Sequence, residues 1–120
     1  MAGVYKADEL KVRSKRFAIA IVRLVRELPR NEEARILGRQ LLRSGTSVAA
    51  NYRAVCRARS KAEFIAKLGV VVEEIDETAF WIELLAESET FPQERLRDIE
   101  REANELLAIF AASRNTAKKR

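Results

Sequence analysis

The sequence predicts an all-α fold, an antiparallel up-down four-helix bundle that forms a single domain over residues 1–120. Four successive segments carry apolar residues at spacings of three and four, which is typical of helices that bury one face. Short breaks containing proline, asparagine or serine separate these segments, and short connections place consecutive helices antiparallel and side by side. A chain of 120 residues suits one core of this kind.

The first helix is predicted over residues 7–28, where apolar side chains recur in a 4-3-4-3-4 pattern. The Leu28-Pro29 pair ends it, because proline disfavours helical geometry in the residue before it. Asn31 is the expected N-cap of the second helix, since its side chain can accept a hydrogen bond from a free backbone N–H group.

The second helix has to include the run from Arg43 to Ser47, whose serine, glycine and threonine favour a loop on propensity alone. In helical projection the surrounding residues nonetheless sort into ordered faces, which favours a helix. Gly45 costs about 1 kcal/mol relative to alanine inside a helix, so its presence indicates close approach of a neighbouring helix. The polar residues expected on the core side are Ser44, Ser47 and Asn51. We interpret them as specifiers of helix register; a buried polar pocket for a ligand is the alternative.

The third helix is predicted to begin after Ser60, because Ser60 and Glu63 have the spacing of a capping box. A break over residues 88–92 separates it from the fourth helix, whose N-cap is expected near Thr90 or Phe91. The basic segment at residues 113–120 is predicted to form a frayed tail, as chain ends often do.

The chain has no histidine and a single cysteine, Cys56. This excludes Ser-His and Cys-His catalytic sites, His-containing zinc sites and an intramolecular disulfide. No segment approaches the roughly 18 apolar residues that indicate a membrane-spanning helix. We therefore expect a cytoplasmic, non-enzymatic protein without a metal, a cofactor or a membrane contact. An enzyme using Glu73, Glu74 or Glu77 is a minor alternative, since these acids are more simply explained as surface acids or as ion-pair partners of second-helix arginines.

Charge is divided along the chain. Residues 34–62 contain seven basic residues and no acidic one, whereas residues 63–105 contain thirteen acidic residues and four basic ones. A basic surface attracts nucleic-acid phosphates; the alternatives are a solvated arginine face or neutralisation by the acidic third helix. The residues that we expect to contact phosphate are Arg39, Arg43, Arg53, Arg57, Arg59 and Lys61. Tyr52 is the one aromatic residue near them, so base-specific recognition is not expected.

The third helix has more apolar surface than one buried seam requires, which indicates a contact with another molecule. The residues expected in an oligomer interface are Val70, Phe80, Trp81 and Leu84. The alternative for Trp81 is that it covers an edge of the bundle. Because the subunit has a basic and an acidic side, a head-to-tail ring is physically reasonable.

The segment from Gln40 to Leu85 resembles the bacterial four-helix-bundle proteins of the 23S rRNA intervening-sequence family. The residues that match the family pattern are Gln40, Arg43, Ser47, Asn51, Arg53, Ser60, Lys61, Glu63 and Phe64. Two positions depart from it, since Ala49 stands where many members have proline and Ala54 where many have glutamate. The second departure makes this helix more basic here.

The resemblance implies a homopentameric four-helix bundle. It also implies kinship to the accessory protein of diversity-generating retroelements, a basic pentamer thought to engage nucleic acid and a reverse transcriptase. The leading hypothesis is thus a non-enzymatic, pentameric protein that binds RNA or other nucleic acid through its arginines. The alternative is a protein-interaction scaffold that binds an acidic protein partner and no nucleic acid.

Overall fold

The computed structural model describes residues 7–120, which form four α-helices. They are α1 (Ala7–Glu27), α2 (Glu32–Val55), α3 (Lys61–Glu87) and α4 (Gln93–Lys119). Each helix packs along the next one in the chain, and α1 touches α4 over a shorter length. Residue numbers rise along α1 as they fall along α2, since Ile21 lies against Gly45 and Leu28 against Gly38. The predicted all-α four-helix bundle is confirmed, in an elongated form of 47 × 22 × 20 Å.

The core lies on the common axis of the four helices. Each helix contributes fully buried apolar side chains to it, among them Ile21, Leu41, Ile75 and Phe110. Burial of these side chains stabilises the bundle by roughly 25 cal/mol for each Å² of apolar surface that is removed from water. The buried residues of each helix recur mainly at spacings of three and four, in agreement with the apolar pattern of the sequence.

The predicted N-caps of α2 and α3 are confirmed. Asn31 Oδ1 accepts a 2.8 Å hydrogen bond from the backbone N–H of Ala34, and Ser60 Oγ accepts one of 3.0 Å from the N–H of Glu63. The Glu63 carboxylate accepts a 3.0 Å bond from the N–H of Arg59, one residue before the position that a standard capping box would use. Both helix starts therefore have their free N–H groups partly satisfied by side chains.

The run from Arg43 to Ser47 is helical and lies in the middle of α2. Ser44 is fully buried, and its Oγ lies 2.9 Å from Thr78 Oγ1 of α3 in a hydrogen bond between the two helices. Ser47 Oγ donates to the Arg43 carbonyl at 2.7 Å, and Asn51 Nδ2 donates to the Ser47 carbonyl at 2.8 Å. These polar side chains thus bond within the helix or across to α3, and Ser47 and Asn51 are partly exposed.

The turn between α3 and α4 is a Schellman motif. The backbone N–H of Thr90 donates to the Leu85 carbonyl at 3.1 Å, and that of Glu89 donates to the Ala86 carbonyl at 3.1 Å. Glu89 has a φ of 60°, the left-handed conformation that glycine usually supplies at this position. The N-cap of α4 is Pro92, directly after Phe91 and so close to the expected place, and it makes no side-chain hydrogen bond.

The carboxyl-terminal segment differs from the prediction. Residues 113–119 continue α4 as helix, where the sequence led us to expect a frayed tail. Arg114 explains part of this, because its Nε donates to the Ile65 carbonyl of α3 at 3.0 Å. Gly69 leaves the space for this guanidinium, since a Cβ there would lie 3.0 Å from Arg114 Nε. Lys61 Nζ also donates to the Arg120 carbonyl, so the last two turns lie along the start of α3.

Candidate nucleic-acid interface

The six basic residues that the sequence assigned to phosphate contact are all exposed, and they lie on three elements. Arg39, Arg43 and Arg53 lie on α2. That helix ends at Val55, so Arg57 and Arg59 lie in the connection that follows, and Lys61 is the first residue of α3. The structure therefore spreads these residues along one edge of the bundle instead of gathering them at one point.

Three of the six already have partners. Arg43 pairs with two acids of α3, Arg59 Nη2 lies 3.5 Å from Glu63 Oε2, and Lys61 donates to the Arg120 carbonyl. Within residues 7–120, no ion pair involves the others, Arg39, Arg53 or Arg57. Of the predicted set, these last three have the guanidinium groups that are most available to a ligand.

The partners of Arg43 form a small polar cluster between α2 and α3. Arg43 Nη2 donates to Glu77, while Arg43 Nη1 lies 3.7 Å from Glu74 Oε1. The Trp81 indole N–H also donates to Glu77 Oε2 at 3.0 Å. The sequence had offered ion pairing with second-helix arginines as the simpler role of these acids, and for Glu74 and Glu77 that interpretation is confirmed.

The pKa values of the two acids in this cluster are shifted in opposite directions. The hydrogen bond from Trp81 and the bond and charge of Arg43 lower the pKa of Glu77, against the opposing effect of its burial. Burial raises the pKa of Glu74, and the Arg43 charge only partly offsets it. Glu74 Oε1 is buried without a hydrogen-bond partner. This cluster therefore ties Arg43 to α3 through two acids, although the Arg43 side chain remains 52% exposed.

A second group of arginines surrounds a groove between α1 and α2, beside the turn that joins them. We call it the arginine groove; its four arginines are Arg26, Arg30, Arg35 and Arg39, and one acid, Glu32, also lines it. The groove has a volume of about 680 Å³. None of the four arginines makes an ion pair with another described residue.

The arginine groove was missed from sequence except for Arg39. Arg26 lies in the last turn of α1 and Arg30 in the turn that follows, so neither belongs to the basic run at residues 34–62. The available signal was the proline at 29, because a tight turn places the end of one helix beside the start of the next. Gly38 lines the groove at a place where the helices are close, since a Cβ there would lie 2.9 Å from Leu28 Cδ1.

The opposite side of the bundle is acidic. A groove of about 520 Å³ between α3 and α4 is lined by Glu73, Asp76, Glu77, Ala79, Phe80, Glu83, Asn104 and Leu107. The charge division in the sequence thus becomes a division in space, with a basic groove on α1–α2 and an acidic one on α3–α4. Among the described residues, no group of three His, Cys, Asp or Glu side chains is arranged to hold a metal ion.

The aromatic residues are not placed for base stacking at the arginine groove. Tyr52 is buried, its ring centroid lies 5.1 Å from that of Phe110, and burial raises the pKa of its phenol. Trp81 is half-buried against the core, which is the bundle-edge position named as its alternative role. Val70 and Phe80 are exposed on α3, and Leu84 is half-buried.

Comparison with known proteins connects this fold to a family. The model of the 23S rRNA-intervening sequence protein family matches residues 8–112. The chain belongs to this family. No curated protein matches it. A solved structure, that of a protein of unknown function from the S23 ribosomal protein family of Bacteroides thetaiotaomicron, is similar at 33% sequence identity and a TM-score of 0.84, over 92% of this chain and 99% of that one.

The family assignment confirms the resemblance drawn from residues 40–85 and extends it over most of the described chain. The solved relative has the same fold along nearly its whole length. No described helix of this family member is both long and apolar enough to cross a membrane.

Proposed function

We propose that this member of the 23S rRNA-intervening sequence protein family is a non-enzymatic, cytoplasmic homo-oligomer that binds RNA through the arginine groove. The resemblance that introduced the family suggests a pentamer. The observation that carries the binding proposal is that four arginines line one groove and none of them is paired with an acid of the described chain. An arginine that is already paired with a carboxylate is less available to bind a phosphate group. None of these four arginines has such a partner among the described residues.

Arginine suits phosphate because its planar guanidinium donates two parallel hydrogen bonds to two phosphate oxygens. Arg39 links the arginine groove to the rest of α2, where Arg53 lies fourteen residues further along. At a rise of about 1.5 Å per residue this separates the two by roughly 21 Å, which several nucleotides of a single strand would span. Without an exposed aromatic residue in the groove, we expect binding to the backbone with little preference for base sequence.

Charge reversal in the groove tests this proposal. The double variant Arg35→Glu with Arg39→Glu should weaken binding of a short fluorescently labelled single-stranded RNA by at least tenfold in an anisotropy titration at low salt. The matched control is Arg97→Glu with Arg101→Glu on α4, which changes the net charge equally and should retain most of the affinity. Equal loss in both variants, or no RNA binding by the wild type, would overturn the proposal.

The second candidate function is a scaffold whose arginine groove binds an acidic protein segment. That the four arginines make no ion pair with a described acid also favours this function, because an acidic peptide supplies carboxylates for bidentate arginine contacts. A polyglutamate peptide that competes with RNA as well as an equally charged oligonucleotide would favour the scaffold. Failure of the peptide to compete favours nucleic acid.

A further inference from the structure

Two helices carry a second row of side chains opposite their buried face; most of these are exposed, and Glu77 leans towards α2, where it pairs with Arg43. On α3 the row is Val70, Glu73, Glu77, Phe80 and Leu84, spaced 3-4-3-4, which we call the outer seam of α3. On α1 the row is Val12, Lys15, Ile19 and Val22, spaced 3-4-3, which we call the outer seam of α1. This spacing is the one by which helices pack against each other along a seam.

The two outer seams contain most of the exposed apolar surface. The large apolar side chains that are exposed in the described chain are Val12 at 51%, Ile19 at 42%, Ile36 at 49%, Val70 at 41% and Phe80 at 51%. All except Ile36 belong to one outer seam or the other. Exposed apolar side chains that line up along a helix favour a partner surface, whereas scattered ones are ordinary.

The two seams carry opposite charge between their apolar positions. The outer seam of α1 has Lys15, with Lys11, Arg16 and Arg23 beside it, and the acids Asp8 and Glu9 lie before the seam, in the first turn of the helix. The outer seam of α3 has Glu73 and Glu77, with Asp76, Glu83 and Glu87 beside it. Neither Lys15 nor Glu73 makes an ion pair within residues 7–120. Pairing two copies through α3 alone would bring glutamates together, and pairing through α1 alone would bring lysines together. Pairing one seam with the other avoids both repulsions.

We propose that the outer seam of α1 in one copy of this chain binds the outer seam of α3 in a second copy. This rests on the homo-oligomer of the proposed function and adds which two surfaces meet. Ile19 and Phe80 supply the apolar centre of the contact, and Lys15 and Glu73 supply its charge pairing.

The two seams lie on different sides of the subunit, because α1 and α3 are at diagonal corners of the bundle and their backbones do not pack side by side. Such an interface is head-to-tail: every copy uses one seam for each of two neighbours. The arginine groove lies on the α1–α2 side and shares no residue with either seam, although its Arg26 follows Val22 of the outer seam of α1 by one helical turn.

Two seam-blocked variants test the pairing by complementation. One carries Lys15→Glu with Ile19→Glu, and the other carries Glu73→Lys with Phe80→Lys; these four positions are exposed, so circular dichroism should report an intact helical fold for both. By light scattering after size exclusion, each variant alone should have the mass of one chain, 13.7 kDa. Their equimolar mixture should have at least twice that mass, because each variant keeps one intact seam that matches the intact seam of the other, and the two altered seams carry opposite charges. The control Ile36→Glu should keep the wild-type mass.

The outcomes separate this inference from the proposed function. A mixture that stays at the single-chain mass, or an α1-seam variant that keeps the wild-type mass, would overturn the seam pairing while leaving the homo-oligomer in place. A wild type with the mass of one chain would remove the homo-oligomer and the seam pairing together. An arginine-groove variant that loses RNA binding but keeps the wild-type mass would support the arginine groove as the RNA site and the seams as separate from it.

Discussion

Gly45 of α2 lies directly against Ile21 of α1, so closely that a Cβ on Gly45 would lie 2.8 Å from Ile21 Cγ1 and 2.9 Å from Ile21 Cγ2. Ile21 is fully buried and branched at Cβ, so it has little freedom to move aside. The glycine therefore sets how closely α1 and α2 approach. This contact explains why a residue with poor helix propensity lies in the middle of α2.

We expect Gly45→Ala to destabilise the protein. The substitution gains about 1 kcal/mol of helix propensity, but overpacking against Ile21 costs roughly 1–3 kcal/mol. The matched control is Gly38→Ala, where a Cβ would lie 2.9 Å from the terminal Leu28 Cδ1, which can rotate away, and at an ordinary 3.6 Å from Val25 Cγ1. Urea unfolding at fixed protein concentration should show Gly45→Ala less stable than Gly38→Ala; the reverse order would contradict the packing account.

The buried hydroxyl pair Ser44–Thr78 should couple α2 to α3. In a double-mutant cycle of Ser44→Ala and Thr78→Val, we expect a coupling free energy of about 0.5–1.5 kcal/mol, the scale of one buried hydrogen bond. Ser47→Ala with Thr78→Val is the control cycle, because Ser47 bonds to a carbonyl of its own helix. Strict additivity in the first cycle would show that the 2.9 Å contact contributes nothing measurable.

Glu89→Gly should stabilise the turn between α3 and α4. Glu89 has a φ of 60°, which costs a residue with a Cβ roughly 1 kcal/mol and costs glycine little. The gain in unfolding free energy should therefore be about 0.5–1 kcal/mol, less the greater entropy of glycine in the unfolded chain. Glu87→Gly, at a helical position of the same turn, should instead destabilise. Destabilisation by Glu89→Gly would refute the left-handed assignment.

Glu74→Gln and Glu77→Gln should change the free energy of unfolding differently at neutral pH. The pKa of Glu77 is lowered in the folded state, so its carboxylate stabilises the fold above the ordinary glutamate pKa, and this contribution is lost as the pH falls through the lowered value. Glu77→Gln should therefore cost about 0.5–1 kcal/mol at neutral pH, the scale of a partly exposed ion pair.

The pKa of Glu74 is raised, so its charged form opposes folding at neutral pH, and that penalty disappears as the pH falls through the raised value. Glu74→Gln should be neutral or stabilising at pH 7, and its difference from the wild type should vanish in acid. Urea unfolding at a series of pH values measures both variants. Equal destabilisation by the two at pH 7 would contradict the roles assigned to these acids.

Most of the fold could be predicted from the sequence, because apolar spacing and caps are local signals. Asn31 and Ser60 cap their helices as expected, and the helical course of residues 43–47 follows from the ordered faces of α2. The helical conformation of residues 113–119 could not be predicted from local sequence, because the contact of Arg114 with Gly69 joins residues forty-five positions apart.

The candidate site could be predicted only in part. Composition identified a basic second helix, but which arginines are available depends on what α3 places beside them. Arg43 forms an ion pair with Glu77, and predicting this contact requires knowing how both helices are oriented about their axes. Arg26 and Arg30 join Arg39 only because the turn at Pro29 places α1 beside α2. A charge count along the chain contains neither relationship.

The salt dependence of RNA binding tests the central claim most directly. For single strands, the logarithm of affinity falls against the logarithm of salt concentration with a slope of about −0.7 for each phosphate neutralised. We predict a steep slope for the wild type and a slope shallower by at least one for Arg35→Glu with Arg39→Glu, while Arg97→Glu with Arg101→Glu keeps the wild-type slope. A wild-type affinity that does not change with salt, or an unchanged slope in the groove variant, would contradict RNA binding at the arginine groove.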